Sequence, residues 1–171
     1  MDLYVVRHPP VAVDKGVCYG QLDVALKPGF EVLGNSLRES LPSLPVYSSH
    51  LSRCRQLAHL IDPDHAVDAR LAEMHFGEWE GLRWDDIPRT ELDLWMNDYV
   101  TQRTPGGESF ADVEDRLTEF LQTLRDAGKE GAVLISHAGV IRSLLIRWTG
   151  LSPDKAFRKQ IEFGSVHHIS V

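Results

Sequence analysis

Two apolar stretches of this chain end in a histidine. Leu3-Tyr4-Val5-Val6 runs into Arg7-His8, and Leu134-Ile135-Ser136 runs into His137. A phosphate monoester dianion requires cationic donors around its equatorial oxygens, a nucleophile in line, and an acid for the leaving oxygen. Arg7, Arg53 and His137 are candidate donors, arginine being suited to bidentate phosphate contacts. His8 is the candidate nucleophile, because a neutral imidazole attacks phosphorus and a phosphohistidine splits one hard step into two easier ones. Glu73 is the best-placed carboxyl group for protonating the leaving group and then activating water, with Glu78 and Glu80 as close competitors in the same segment. Each residue taken singly reads as plainly as a solvated strand end, a surface arginine or an exposed carboxylate. Their joint occurrence gives the chemistry its weight.

The elements that must position them follow from the apolar pattern. Leu3–Val6 reads as a short strand buried on both faces, and Pro9 ends it because it lacks a ladder donor and pushes His8 towards an extended conformation. A loop follows from Val11 to Leu26. Pro28 suits the first turn of a helix whose stripe is Phe30, Leu33, Leu37 and Leu41, ended by Pro42 and Pro45. Pro45–Ser49 reads as a second strand, opening into a helix over Leu51–Ile61. Arg53 and Arg55 lie two apart on that helix and point in different directions, so at most one faces the cleft of His8. Val67–Leu71 is expected as a third strand with Glu73 at its end.

Trp84–Ile87 and Glu91–Tyr99 are expected as short helices, and Thr104–Glu108 as a break. Ser109 with Asp112 three residues on resembles a capping box, opening a helix with Val113, Leu117, Phe120, Leu121 and Leu124 inward and Gly128 as its stop. Ala132–Ser136 is a second buried strand, Gly139–Thr149 a helix and Val166–Val171 a last strand. Strands alternating with helices predict a three-layer α/β/α sandwich on a mainly parallel sheet. If the strands before His8 and His137 are neighbours, both histidines emerge at the same sheet edge, where α/β folds bind ligands.

The chain has 171 residues, 43% of them hydrophobic and 25% charged, which predicts a single domain over residues 1–171. A net charge of −7 argues against a broad nucleic-acid or membrane surface. Cys18 and Cys54 are the only cysteines, too few for a disulfide framework, and a reducing cytoplasm is the expected compartment. Neither a signal peptide nor an apolar run of membrane-spanning length is seen. His50, His59 and His75 read as structural or solvent-facing, and His167 and His168 point to opposite faces of a strand. Trp79, Trp84 and Trp95 read as packing residues, one or two of them lining the pocket mouth.

Four motifs in order resemble those of the histidine phosphatase superfamily, the phosphoglycerate mutase-like fold. They are Arg7-His8-Pro9, Ser48-Ser49-His50-Leu51-Ser52-Arg53, Glu73 to Gly81, and Ser136-His137-Ala138-Gly139-Val140-Ile141-Arg142. The resemblance implies a small phosphate ester as substrate and no metal or other cofactor. It implies His8 as the phosphorylated nucleophile, Glu73 as the proton donor, and Arg7, Arg53 and His137 as the phosphate pocket. Pro9 stands where the family has glycine, and Asp14 where relatives often have asparagine. Cys18-Tyr19-Gly20-Gln21-Leu22-Asp23, Arg53 to Ala58 and Pro105 to Ser109 are similar to α-ribazole phosphatases within the family. That narrower likeness implies that Tyr19, Gly20 and Gln21 contact substrate. Alternative readings are a broad-specificity or protein-phosphohistidine phosphatase, a phosphoglycerate mutase, or a phosphate-binding scaffold without turnover.

Overall fold

Val5 and Val6, adjacent in the first strand, are both fully buried, so this strand has apolar layers on both of its faces. The computed structural model describes all 171 residues. Strand β1 (Asp2–Arg7) lies in a five-stranded sheet with β2 (Val46–Ser48), β3 (Ala66–Val67), β4 (Gly131–Ser136) and β5 (Val166–Ser170), in the order β3-β2-β4-β1-β5. β1 runs parallel to β4 and β4 to β2, while β5 joins antiparallel at one edge. Arg7 stands opposite Ser136 in the β1–β4 register.

On one face of the sheet, Val6, Val133 and Ile135 pack with Leu37 of α1 (Phe30–Ser40) and with Cys54, Leu57 and Ala58 of α2 (Ser52–Ile61). On the other, Leu3, Val5 and Leu134 pack with Val113, Leu117 and Leu121 of α4 (Phe110–Asp126) and with Ile141 and Leu144 of α5 (Ala138–Thr149). Helices α3 (Arg89–Asn97) and α6 (Pro153–Arg158) are shorter. Each fully buried Leu, Ile or Val contributes about 1.5–3 kcal/mol relative to exposure. The two apolar layers therefore hold the sheet's carboxyl edge as one rigid rim. This is the expected three-layer α/β arrangement.

The Ser109–Asp112 capping box is present at the start of α4 in both directions. Two local expectations are corrected. Pro28 lies before α1 instead of in its first turn, because Gly29 at the helix entry takes a left-handed φ of 90° and the helix begins at Phe30. The third strand stops at Val67, and Ala69–Leu71 forms a 3-10 turn capped by the Asp68 side chain. Glu73 is therefore carried by an irregular segment after that turn, and not by a strand end.

Candidate active site

The carboxyl ends of β1, β2 and β4 bring His8, Ser49 and His137 together. The His8 N–H donates to the Ser136 carbonyl at 2.9 Å, and the Ser49 N–H to the Ile135 carbonyl at 3.0 Å. His8 is 1% exposed, and its ring centroid lies 5.2 Å from that of His137. Burial, then the charges of Arg53 and Arg7, lower the His8 pKa to about 3, so the imidazole is neutral near pH 7. Its Nδ1 lies 2.7 Å from the Pro9 carbonyl oxygen. A carbonyl only accepts, so Nδ1 carries the proton and Nε2 keeps its lone pair. Pro9 removes a backbone donor from the family's usual glycine position but keeps the backbone carbonyl that accepts from Nδ1.

Arg53 sits in the first turn of α2 and is completely buried, whereas Arg55 is exposed; one arginine of the pair faces the site, as the helical spacing requires. Its guanidinium donates to the Leu22 carbonyl at 2.7 Å and to the Gly20 carbonyl at 2.5 Å, and lies 5.2 Å from the Tyr19 ring centre. Arg7 donates to the Ile161 carbonyl and stacks 3.7 Å from the ring centre of Phe163. Both arginines retain a buried Nε–H without a hydrogen-bond partner. Unpaired buried donors are rare in folded proteins. Two of them beside a neutral imidazole make a site able to receive an oxyanion.

His137 is fully buried, and its Nε2 shares hydrogen bonds with Ser49 Oγ at 2.9 Å and Cys54 Sγ at 3.4 Å. Burial first, then the neighbouring His8 and Arg53, hold its pKa well below the ordinary histidine range. Burial likewise pushes the Cys54 thiol up, so it is a packing and hydrogen-bonding group and not a thiolate.

The Glu73 carboxylate crosses to the start of α5, two residues beyond His137. Its Oε1 accepts the Gly139 N–H at 3.1 Å and the Met74 N–H at 3.0 Å, and its Oε2 lies 3.3 Å from the same Gly139 nitrogen. The first turn of a helix favours a negative group there. Glu80, one of the competing carboxylates, is tied instead to the Gln21 and Phe76 N–H groups at 2.8 and 2.9 Å, and Glu78 is exposed. Gln21 turns its side-chain amide onto the Glu73 carbonyl at 2.9 Å. Gly20 is packed so closely that an added Cβ would lie 2.2 Å from Glu80 Oε1.

A cavity of about 320 Å³ is walled by Tyr19 and Phe163 and edged by Asp14, Lys15 and Lys27; His8, Arg7, Arg53, Glu73 and His137 do not line it, and it is linked to His8 through those two aromatic rings. Tyr19 and Phe163 both lie against the His8 ring, at 6.5 and 5.4 Å between centroids. The aromatic residues at this cavity are thus not the tryptophans. Trp79, Trp84 and Trp95 pack on one another and on Phe76 in a separate small cluster. The largest cavity, about 450 Å³ between α1 and α2, contains none of these site residues. Phe163 was not legible in sequence, since an aromatic residue in a loop carries no periodic signal. Ser49 carries no signal of its own beyond its motif, and Arg116, whose Nη2 reaches the Glu73 carbonyl at 3.1 Å, lies on the polar side of α4 and reads there as a solvated charge.

The sequence profile of the histidine phosphatase superfamily (branch 1) matches residues 3–171. The chain belongs to this superfamily. It is 28% identical over 167 residues to a metal-independent phosphoserine phosphatase of Arabidopsis thaliana, covering 88% of this chain and 70% of that protein. It is similar to the structure of a phosphoglycerate mutase from Thermus thermophilus, with 30% identity, a TM-score of 0.81, and coverage of 100% and 97% of the two chains. It is also similar to a mycobacterial glucosyl-3-phosphoglycerate phosphatase, with 25% identity, a TM-score of 0.83, and coverage of 98% and 88%. This histidine phosphatase is a phosphoric monoester hydrolase acting on small phosphate esters. None of its helices is long and apolar enough to cross a membrane.

Proposed function

We propose that this histidine phosphatase hydrolyses α-ribazole 5′-phosphate, a nucleotide-like precursor used late in cobalamin synthesis, through a phosphohistidine at His8. The observation that carries the chemistry is the state of His8: a buried neutral imidazole whose Nδ1–H is fixed on the Pro9 carbonyl, beside two arginines with unpartnered Nε–H groups. In the first step His8 Nε2 forms a bond to phosphorus as the bond to the ester oxygen breaks, and Glu73 gives that oxygen its proton. In the second, Glu73 takes a proton from water, the water oxygen bonds to phosphorus, and the bond to Nε2 breaks. The sum is ester plus water giving alcohol plus inorganic phosphate. Arg7, Arg53 and His137 hold the phosphoryl oxygens, where charge develops in a site that excludes water.

For the leaving group, the Cys18–Asp23 stretch supports the α-ribazole reading, and the two aromatic walls of the cavity offer faces for a planar base. Phosphoserine is the second reading, supported by Lys15 and Lys27 in that cavity, which would answer a substrate carboxylate. The test is kcat/KM for α-ribazole 5′-phosphate, phosphoserine and p-nitrophenyl phosphate, each with a metal chelator present. A preference of several orders of magnitude for the first ester is expected. A preference for phosphoserine transfers the enzyme to the second reading. Similar modest rates on all three overturn both and leave a broad-specificity phosphatase.

A further inference from the structure

Glu73 belongs to neither helix nor strand, since the 3-10 turn ends at Leu71 and the next begins at Gly77. Its position is set by side chains that grip the segment around it. Arg116, on the middle of α4, supplies two of these grips. One terminal nitrogen donates to the Arg70 carbonyl at 2.5 Å and the other to the Glu73 carbonyl at 3.1 Å. Glu108 orients the guanidinium, with Oε1 at 3.0 Å from Nε and Oε2 at 3.2 Å from Nη2. The same Glu108 Oε2 accepts the His75 N–H at 2.8 Å, and the Glu108 N–H donates to the His75 carbonyl at 2.8 Å. The pair is only 15% and 24% exposed at its side chains, so water competes weakly for these bonds.

Residues 70, 73 and 75 are thereby fastened to one rigid body. α4 is rigid because its capping box fixes its first turn and Val113, Leu117, Phe120, Leu121 and Leu124 bury its inner face. We infer that Arg116, oriented by Glu108, is a positioning residue for the leaving-group acid: its grip on the Arg70 and Glu73 carbonyls sets where the Glu73 carboxyl meets the leaving oxygen. The inference rests on the reading of Glu73 as general acid. A lysine at position 116 keeps a charge near Glu108 but has no planar fork to span two carbonyls.

The test is the dependence of kcat/KM on the leaving group, a quantity that reports steps up to phosphorylation of the enzyme. An alkyl phosphate, whose alkoxide requires a proton, is compared with 2,4-dinitrophenyl phosphate, whose phenolate leaves without one. The variants are Arg116→Lys, Glu73→Gln and the double variant. Arg116→Lys is expected to lose about 10- to 100-fold on the alkyl ester while the dinitrophenyl ester stays within about threefold, because a misplaced acid costs rate only where a proton is required. Glu73→Gln shows the same pattern more steeply, and the double variant loses little more than Glu73→Gln alone. Equal losses of Arg116→Lys on both esters, or no loss on either, overturn the inference while Glu73→Gln still shows its slope. A flat response of Glu73→Gln overturns Glu73 as the acid, and the inference with it. The burst of dinitrophenolate released on phosphorylation of the enzyme reports in each variant that the fold and the nucleophile are intact.

Discussion

Gly139 and Glu73 occupy each other's space. The Gly139 N–H donates to Glu73 Oε1 at 3.1 Å, and a Cβ added to Gly139 would lie 2.1 Å from that same oxygen. The glycine lies in the first turn of α5, where its backbone is ordinary helix and alanine is permitted. Gly139→Ala therefore displaces a carboxylate and leaves the helix in place. Its melting temperature is expected to hold or rise, since alanine gains up to about 1 kcal/mol over glycine inside a helix. Its kcat/KM on an alkyl phosphate is expected to fall about 10- to 100-fold. A variant as active as wild type would show that the position of Glu73 does not matter.

Arg53 predicts the opposite selectivity. It faces the phosphoryl group in this account and also ties Gly20 and Leu22 to α2. Arg53→Lys should lose activity on alkyl and dinitrophenyl esters alike, by about 10²- to 10³-fold, since the lost interaction stabilises the phosphoryl oxygens whatever the leaving group. A loss confined to alkyl esters would assign Arg53 to the leaving-group side.

Phe163 acts on Arg7 from outside the strand that carries it. Replacing the ring with leucine keeps an apolar contact and removes the cation–π stack seen at 3.7 Å. A stack of this kind is worth about 0.5–2 kcal/mol, so Phe163→Leu should raise KM for small phosphate esters roughly twofold to thirtyfold. Unchanged KM would reduce Phe163 to a cover over the site.

The histidines also leave a mark on stability. Near pH 7 His8 is neutral in both the folded and the unfolded chain. As pH falls below the ordinary value of 6.5, the unfolded chain takes up a proton there and the folded protein does not until about pH 3. Stability from this group is thus fully present above about pH 6.5 and declines as pH falls towards 3, by up to about 1.4 kcal/mol per pH unit. His137, lowered in the same direction, adds to the slope. Urea unfolding of wild type and His8→Asn at pH 7 and pH 5 tests this: the wild type should lose more stability between the two. Parallel losses would mean that His8 titrates normally in the folded protein.

Much of this was legible in the sequence because strands and helices announce themselves by period. Val5-Val6 and Leu134-Ile135 read as buried strands ending in histidine, and the parallel pairing of β1 with β4 meets the condition for both rings to emerge at one edge. Helical geometry allows at most one of Arg53 and Arg55 to face the site, and the motif resemblance points to Arg53. The segment around Glu73 is less legible: Val67–Leu71 looks extended in composition, yet the Asp68 side chain caps a 3-10 turn there, a local hydrogen bond that period does not reveal. The three tryptophans pack on one another as expected, but none lines the cavity walled by Tyr19 and Phe163. Nearness to Glu73 in sequence said nothing about which way their rings pack, and Trp79 turns inward, its indole N–H donating to Glu91 at 3.0 Å. Arg116 and Phe163 became visible only through contacts far along the chain.

The whole mechanism turns on passage of the phosphoryl group through His8. Rapid mixing of enzyme with a labelled phosphate ester, followed by denaturing quench and peptide mapping, tests it directly. An acid-labile, base-stable phosphoryl group is expected on the peptide carrying His8, formed at least as fast as turnover and absent in His8→Asn. Label on another residue would contradict the account. So would full turnover with no phosphoenzyme and inversion of configuration at a chiral phosphorus.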